Sequence, residues 1–231
     1  MSDAERATTA PRQADGEGSL EPFTGAFVPG ICFESGHCFW LLDFATTPTQ
    51  FGSYTEFWIV TPDGERVLYT DPGEATEEVL AYHEFDRTVG ADVRHERRPG
   101  GFEVAMEATD GTAIELRGST DQSLGTRVLN AVIGLTPDPI LRSGLGTTIS
   151  TASMNALLDV NGLNVAGRTE TERRYRLDAD RLALIADASA TLDGQDLGAV
   201  RPPSRPIEFG DAKTTGDALY VPGTLNLERV Q

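Results

Sequence analysis

Three observations predict a mainly β fold for this chain, an antiparallel β-barrel or closed sandwich with a few short inserted helices. From Phe23 onward, apolar residues come in short runs broken by turn residues. Several of those runs alternate with a period of two, which places successive side chains on opposite faces of a strand. Asp-Gly and Pro-Asp-Gly turns sit between them, the pattern expected of hairpins.

Residues 1–20 are rich in Ala, Thr, Gly, Asp, Glu and Arg without an apolar period, so they are expected to form a disordered acidic tail before a single domain over 21–231. The first hairpin is predicted where Phe57–Val60 and Val67–Tyr69 flank Pro62-Asp63-Gly64. Pro72 to Thr88 carries Glu74, Ala75, Glu77, Glu78, Val79 and Leu80 behind Asp71-Pro72, which reads as a short helix. The next hairpin has Phe102, Val104, Met106 and Ala108 alternating with Glu103, Ala105 and Glu107, then turning at Asp110-Gly111 into Ile114 and Leu116. Ser123 to Leu135 holds Leu124, Val128, Leu129, Val132 and Ile133 at helical spacing and ends at Thr136-Pro137. Ile149 to Val160 is expected to form another short helix, with Met154, Leu157 and Leu158 inward. Arg173–Leu177 and Leu182–Ala190 are expected to pair through Asp178-Ala179-Asp180, and Asp193-Gly194 marks a later turn. Consecutive antiparallel strands must close or stack to hide their edges, hence a barrel or sandwich.

Charge narrows the function classes. Asp and Glu total 36 against 19 Lys and Arg, a formal net charge of −17 over 231 residues. Such a field repels nucleic acid and anionic membrane surfaces, so neither is an expected partner. Lys213 is the only lysine. An acidic, lysine-poor surface suits a high-salt, halophilic cytoplasm, where screening relieves self-repulsion. A GC-rich genome also favours Arg over Lys, but codon bias alone does not account for the acidity. Two cysteines, Cys32 and Cys38, are too few for a disulfide scaffold, and no apolar signal core precedes Pro22. The expectation is a cytoplasmic protein with reduced thiols and no cofactor.

No phosphate-binding glycine loop, GxSxG, CxxC or HExxH motif occurs; His83-Glu84 and His95-Glu96 each begin like the last but lack its second histidine. Within Cys32-Phe33-Glu34-Ser35-Gly36-His37-Cys38, two thiols, an imidazole and a carboxylate come close together. A zinc-like ion would want four such ligands, whereas two buried cysteines beside a turn need none, and no metal site is assigned. Lys213 lies among Gly210, Asp211, Thr214 and Gly216, an exposed turn where lysine is an ordinary solvated charge. Arg174 and Arg176 share one strand face, as an anion site or as partners for cross-strand carboxylates; the second reading is favoured.

The most informative stretch is Tyr54-Thr55-Glu56-Phe57-Trp58, followed by Tyr82-His83-Glu84-Phe85-Asp86-Arg87. Alternation puts Tyr54, Glu56 and Trp58 on one face. If that face is the barrel interior, Glu56 is a buried carboxylate with a raised pKa, suited to acid or base work. If not, it meets solvent or pairs with an arginine such as Arg87.

Over about residues 50–120 the order of these features resembles the acetoacetate decarboxylase-like β-barrels. The Tyr54-Thr55-Glu56-Phe57 strand, Tyr69, the helical stretch from Glu74 to Tyr82, and Glu84-Phe85-Asp86-Arg87 leading into Ala91–Arg94 carry the likeness. In that family a lysine at the place of Arg87 forms a Schiff base. A guanidinium cannot serve as that amine nucleophile. The resemblance therefore implies a barrel that binds or transforms a small carboxylate or keto acid without Schiff-base chemistry, with Glu56 and Arg87 as catalytic groups and Tyr54, Trp58 and His83 as ligand contacts. The alternative is a lipocalin-like carrier of an apolar ligand, or an oligomer-forming domain whose partner is a further copy of itself. An enzyme of the first kind brings Glu56 and Arg87 together in a polar pocket. A carrier has an aliphatic and aromatic cavity with Glu56 outside it.

Overall fold

The computed structural model describes residues 19–121, 164–214 and 217–229. Its strands in chain order are β1 (Leu20–Cys32), β2 (Cys38–Thr46), β3 (Tyr54–Val60), β4 (Arg66–Asp71), β5 (Arg87–Arg98), β6 (Gly101–Ala108), β7 (Ala113–Asp121), β8 (Ala166–Arg168), β9 (Arg174–Ala179), β10 (Ala183–Leu192), β11 (Gln195–Asp196), β12 (Glu208–Phe209), β13 (Ala212–Lys213) and β14 (Leu219–Glu228). A 3-10 turn (Gly73–Ala75) and the one-turn helix α1 (Thr76–Leu80) lie between β4 and β5. The helix stretches expected at Ser123–Leu135 and Ile149–Val160 lie outside the described residues, as does most of the expected N-terminal tail.

The strands β11-β10-β7-β6-β5-β4-β3-β2-β1-β14-β9-β8 form one sheet, and a further pairing of β10 with β14 closes it. The ring runs from β10 through β7, β1 and β14 and back, so the mainly β fold with a closed barrel is present as read. Closure satisfies the edge groups that an open sheet would expose.

Two of the predicted hairpins form. Trp58 faces Leu68 across β3 and β4, and Met106 faces Ile114 across β6 and β7. All pairings in the large sheet are antiparallel except β4 with β5. A parallel neighbour requires a crossover. The segment holding the 3-10 turn and α1 supplies it, which is why the helix falls at this point in the chain.

The hairpin expected between Arg173–Leu177 and Leu182–Ala190 does not form. Both strands exist, but each pairs with β14 instead: Ala179 opposite Gly223, and Ala183 opposite Tyr220. β14 thus belongs to the barrel wall and also begins the β9-β8 extension. Local turn signals at 178–180 could not reveal a partner forty residues downstream.

Ring closure divides the apolar residues into two cores. Inside the barrel, Val28, Phe39, Phe57, Val104, Leu116, Ile185 and Tyr220 pack together from every side of the wall. Outside it, Trp40, Trp58, Leu68 and Val221 of the wall pack with Val79, Tyr175 and Phe209, which belong to α1, β9 and β12. Every residue of β3 is buried, because both its faces are covered. Burial at about 25 cal/mol per Å² of apolar surface is the main stabilising term on both sides.

Cys32 and Cys38 form a disulfide across the first turn of the β1-β2 hairpin, where they are directly paired. The expectation of reduced thiols is therefore overturned. Disulfides are rare in a reducing cytosol, so the cytoplasmic expectation loses the support it drew from the cysteines. No helix among the described residues is long and apolar enough to cross a membrane.

Candidate functional site

Alternation along β3 does put Tyr54, Glu56 and Trp58 on one face, but that face is the outer one. Phe57 and Ile59 occupy the barrel interior, while Tyr54 and Trp58 join the outer core. Glu56 is 4% exposed. The Trp58 indole Nε1–H donates to its Oε2 at 2.9 Å, and the Tyr54 hydroxyl lies near it. Burial dominates: it pushes the Glu56 carboxyl up to about 8, against the opposing effect of the indole and phenol. At neutral pH Glu56 is thus mainly a neutral acid inside a wall layer. The same desolvation raises Tyr54.

His83 reaches this layer from the residues after α1. Its ring centroid stands 4.8 Å from that of Trp58. Burial lowers its pKa, so it is neutral. Nδ1 is buried without a hydrogen-bond partner among the described residues; the Glu170 carboxylate is the nearest group at 3.6 Å, beyond bonding length. Glu170 is committed elsewhere, to Arg66 Nη1 at 2.5 Å and the Glu84 N–H at 2.9 Å. Although burial would raise it, His83, the Glu84 N–H and Arg66 hold Glu170 down to about 2. Arg66 in turn lies 4.5 Å from the Phe209 ring centroid and donates Nη2 to the Glu208 carbonyl at 2.8 Å. This clamps the β12-β13 hairpin over the wall.

Beneath that hairpin is a cavity of about 110 Å³. Trp40, Trp58 and His83 form its floor, with Tyr175, Leu225 and Phe209 around them. Phe209 packs against both indoles, at 5.1 Å from Trp40 and 4.7 Å from Trp58. Glu56 does not line it. Lys213 stands at the rim, its side chain 42% exposed as expected, but it lies in β13 rather than in a turn and its Nζ pairs with the cross-strand Glu208 Oε1 at 2.7 Å.

Arg87 is not brought to Glu56. It begins β5 and shares the strand parity of Val89, Ala91 and Val93, whose side chains pack on the interior core. The sheet therefore separates it from Glu56. It is 44% exposed at one end of the barrel, bound to Asp110 Oδ2 at 2.5 Å and 3.4 Å from Glu65 Oε1. The paired catalytic geometry expected for Glu56 and Arg87 is absent. Tyr54, Glu56, Trp58 and His83 do share one layer.

Arg174 meets the cross-strand Glu228 at 3.2 Å, in keeping with the pairing reading, whereas Arg176 pairs with Asp178 of its own strand at 3.0 Å. His37 bonds Ser35 through Nδ1 at 3.1 Å. With both thiols in the disulfide, the Cys32–Cys38 segment has no thiolate to offer a metal.

Sequence reasoning missed a polar cluster inside the barrel, at the end opposite Arg87. His95 Nδ1 is 2.7 Å from Asp43 Oδ2, and its Nε2 is 3.3 Å from the Tyr220 hydroxyl. Thr55 Oγ1 donates to the other Asp43 oxygen at 3.0 Å. The only signal was alternation: Val93, His95 and Arg97 must share a face, and Val93 is apolar. Two close approaches position the cluster. A Cβ on Gly25 would lie 2.0 Å from the Asp43 carbonyl oxygen, and one on Gly118 would lie 2.4 Å from the Phe102 ring, which stacks on Tyr220.

No family model and no curated protein matches the chain. Among solved structures, it is similar to the acetoacetate decarboxylase of Legionella pneumophila subsp. pneumophila, with 11% identity, a TM-score of 0.41, and coverage of 96% of this chain and 91% of that one.

Proposed function

We propose that this protein binds a small apolar or aromatic molecule in the cavity between the barrel wall and the β12-β13 hairpin. The observation that carries this reading is the cavity lining, which is mostly aromatic and aliphatic, with His83, whose Nδ1 has no hydrogen-bond partner among the described residues, and Asn164, Thr169 and Lys213 as its polar members. A pocket of this kind favours an apolar body and offers His83 for one hydrogen bond. An engineered apolar cavity of about 150 Å³ holds benzene, so one of about 110 Å³ suits a single ring or a short alkyl chain. The separation of Glu56 from Arg87 weighs against a carboxylate-transforming centre at these two residues and favours the carrier.

The chain contains two tryptophans, and both line the cavity, so intrinsic fluorescence reports on it directly. Titration with toluene and phenol is expected to change that fluorescence and raise Tm, while pyruvate and acetoacetate leave both unchanged. Leu225→Phe, which fills the space, is expected to abolish the response. Equal responses to all four probes, or none to toluene and phenol, would end this reading.

A further inference from the structure

We infer that the Cys32–Cys38 disulfide is a site of thiol–disulfide exchange with a small dithiol, and that its reduction loosens the hairpin covering the aromatic cavity. The exchange site stands on its own geometry; its effect on ligand release rests on the apolar-ligand reading above.

Both cysteines line a second cavity, of about 580 Å³, separate from the aromatic one. At 5% and 2% exposed they are otherwise buried, so this cavity is their approach from solvent. Its charged lining is Arg66, Arg201 and Arg205 against Glu34 and Glu208, a locally positive wall on a chain of net charge −17. Positive charge near a cysteine favours the thiolate, and a stabilised thiolate leaves a disulfide faster.

The exchange balances. One thiolate of the dithiol attacks a cysteine sulfur, the S–S bond breaks, and the other cysteine leaves as a thiolate that takes up a proton. The second thiol of the reductant then attacks the mixed disulfide and releases the first cysteine. Two electrons and two protons pass to Cys32 and Cys38, and the dithiol becomes a disulfide.

The loop closed by the disulfide also anchors the strap of residues 197–207, which joins β11 to β12. The Glu34 and Ser35 N–H groups donate to the Ala199 and Leu197 carbonyls at 2.9 and 3.0 Å. The Arg201 N–H donates to the Cys32 carbonyl at 2.9 Å. The Arg201 guanidinium pairs with Glu34, whose carboxylate also accepts from the Ala199 N–H at 3.4 Å. Beyond Arg201 come Pro202, Pro203 and Pro206, which have no N–H to offer and a fixed φ. The strap is therefore held at its ends and stiff between them. It runs directly into Phe209, which covers Trp40 and Trp58. With the disulfide open, the Phe33 N–H still bonds the His37 carbonyl, so the loop loosens without unfolding. A looser anchor raises the population of the open hairpin.

The test compares the native full-length protein before and after dithiothreitol. Without denaturant, reduction is expected to expose two thiols per chain. Amide hydrogen exchange over residues 197–213 is expected to quicken by up to about 30-fold, the factor equivalent to the constraint lost from so short a loop, while β6 and β7 keep their rates. Toluene release, followed by tryptophan fluorescence, is expected to quicken with it. Glu34→Gln, which keeps the disulfide but removes the ion pair to Arg201, is expected to speed exchange over 197–201 in the oxidised protein. No thiols without denaturant, unchanged exchange over 197–213, or an equal rise in β6 and β7 would overturn the inference. If toluene fails to bind, the ligand reading falls and hydrogen exchange still decides the linkage. If toluene binds and leaves both forms at one rate, the ligand reading stands and the redox control of the hairpin falls.

Discussion

Replacing Glu56 with Gln should make the protein more stable at alkaline pH. Glu56 is buried in an apolar layer, and burial moves its carboxyl from 4.5 to about 8. The folded state therefore holds this proton where the unfolded chain releases it. Below about 4.5 both states are protonated and the group costs nothing. As pH rises from there to about 8, stability is lost progressively, and above the folded value the loss is complete. The difference between 4.5 and about 8, at about 1.4 kcal/mol per unit, comes to ~5 kcal/mol. Glutamine mimics the neutral acid and keeps an acceptor for the Trp58 indole. Urea unfolding at pH 5 and pH 9, at one fixed salt concentration, gives the comparison. The parent protein is expected to lose several kcal/mol between these pH values relative to E56Q, and E56Q is expected to be the more stable at pH 9. Other titrating groups are common to both proteins and cancel in the difference. Parallel pH dependences, or a variant weaker than the parent at pH 9, would refute the buried-acid reasoning.

Two further outcomes rest on the disulfide and on the charge. Alkylating the unfolded protein before reduction should add no mass, and Cys32→Ala with Cys38→Ala should cost about 2 kcal/mol, the loop-closure value for so short a loop; two alkyl adducts before reduction would contradict the linkage between these residues. With a net charge of −17, Tm should climb as KCl is raised from 0.1 M toward 2 M, over which range the screening length falls from about 10 Å to below 3 Å. A flat or falling Tm would remove the halophilic reading.

Much of the fold was legible locally. The 54–71 and 101–121 hairpins announce themselves through alternation and their turns, since strand faces and tight turns depend on neighbours in sequence. The single turn of α1 was visible for the same reason. The pairing of 173–177 with 182–190 was misread because proximity in sequence favoured it. β14 wins both strands through contacts that no local pattern encodes.

The candidate site divides along the same line. By itself, the sequence determined that Tyr54, Glu56 and Trp58 share a face and that the chain is strongly acidic with a lone lysine. Only the tertiary structure decided which side of the wall that face occupies, because closing a ring of strands assigns inside and outside all at once. Ring closure sent Glu56 outward into a second core, left Arg87 on the opposite side of the sheet, and covered the two tryptophans with a hairpin from residues 208–213. It also joined Asp43, His95 and Tyr220, the first and last separated from the histidine by 52 and 125 residues. Each of these residues looks ordinary on its own strand. They become one hydrogen-bonded cluster only because β2 and β5 end, and β14 begins, at the same rim of the barrel.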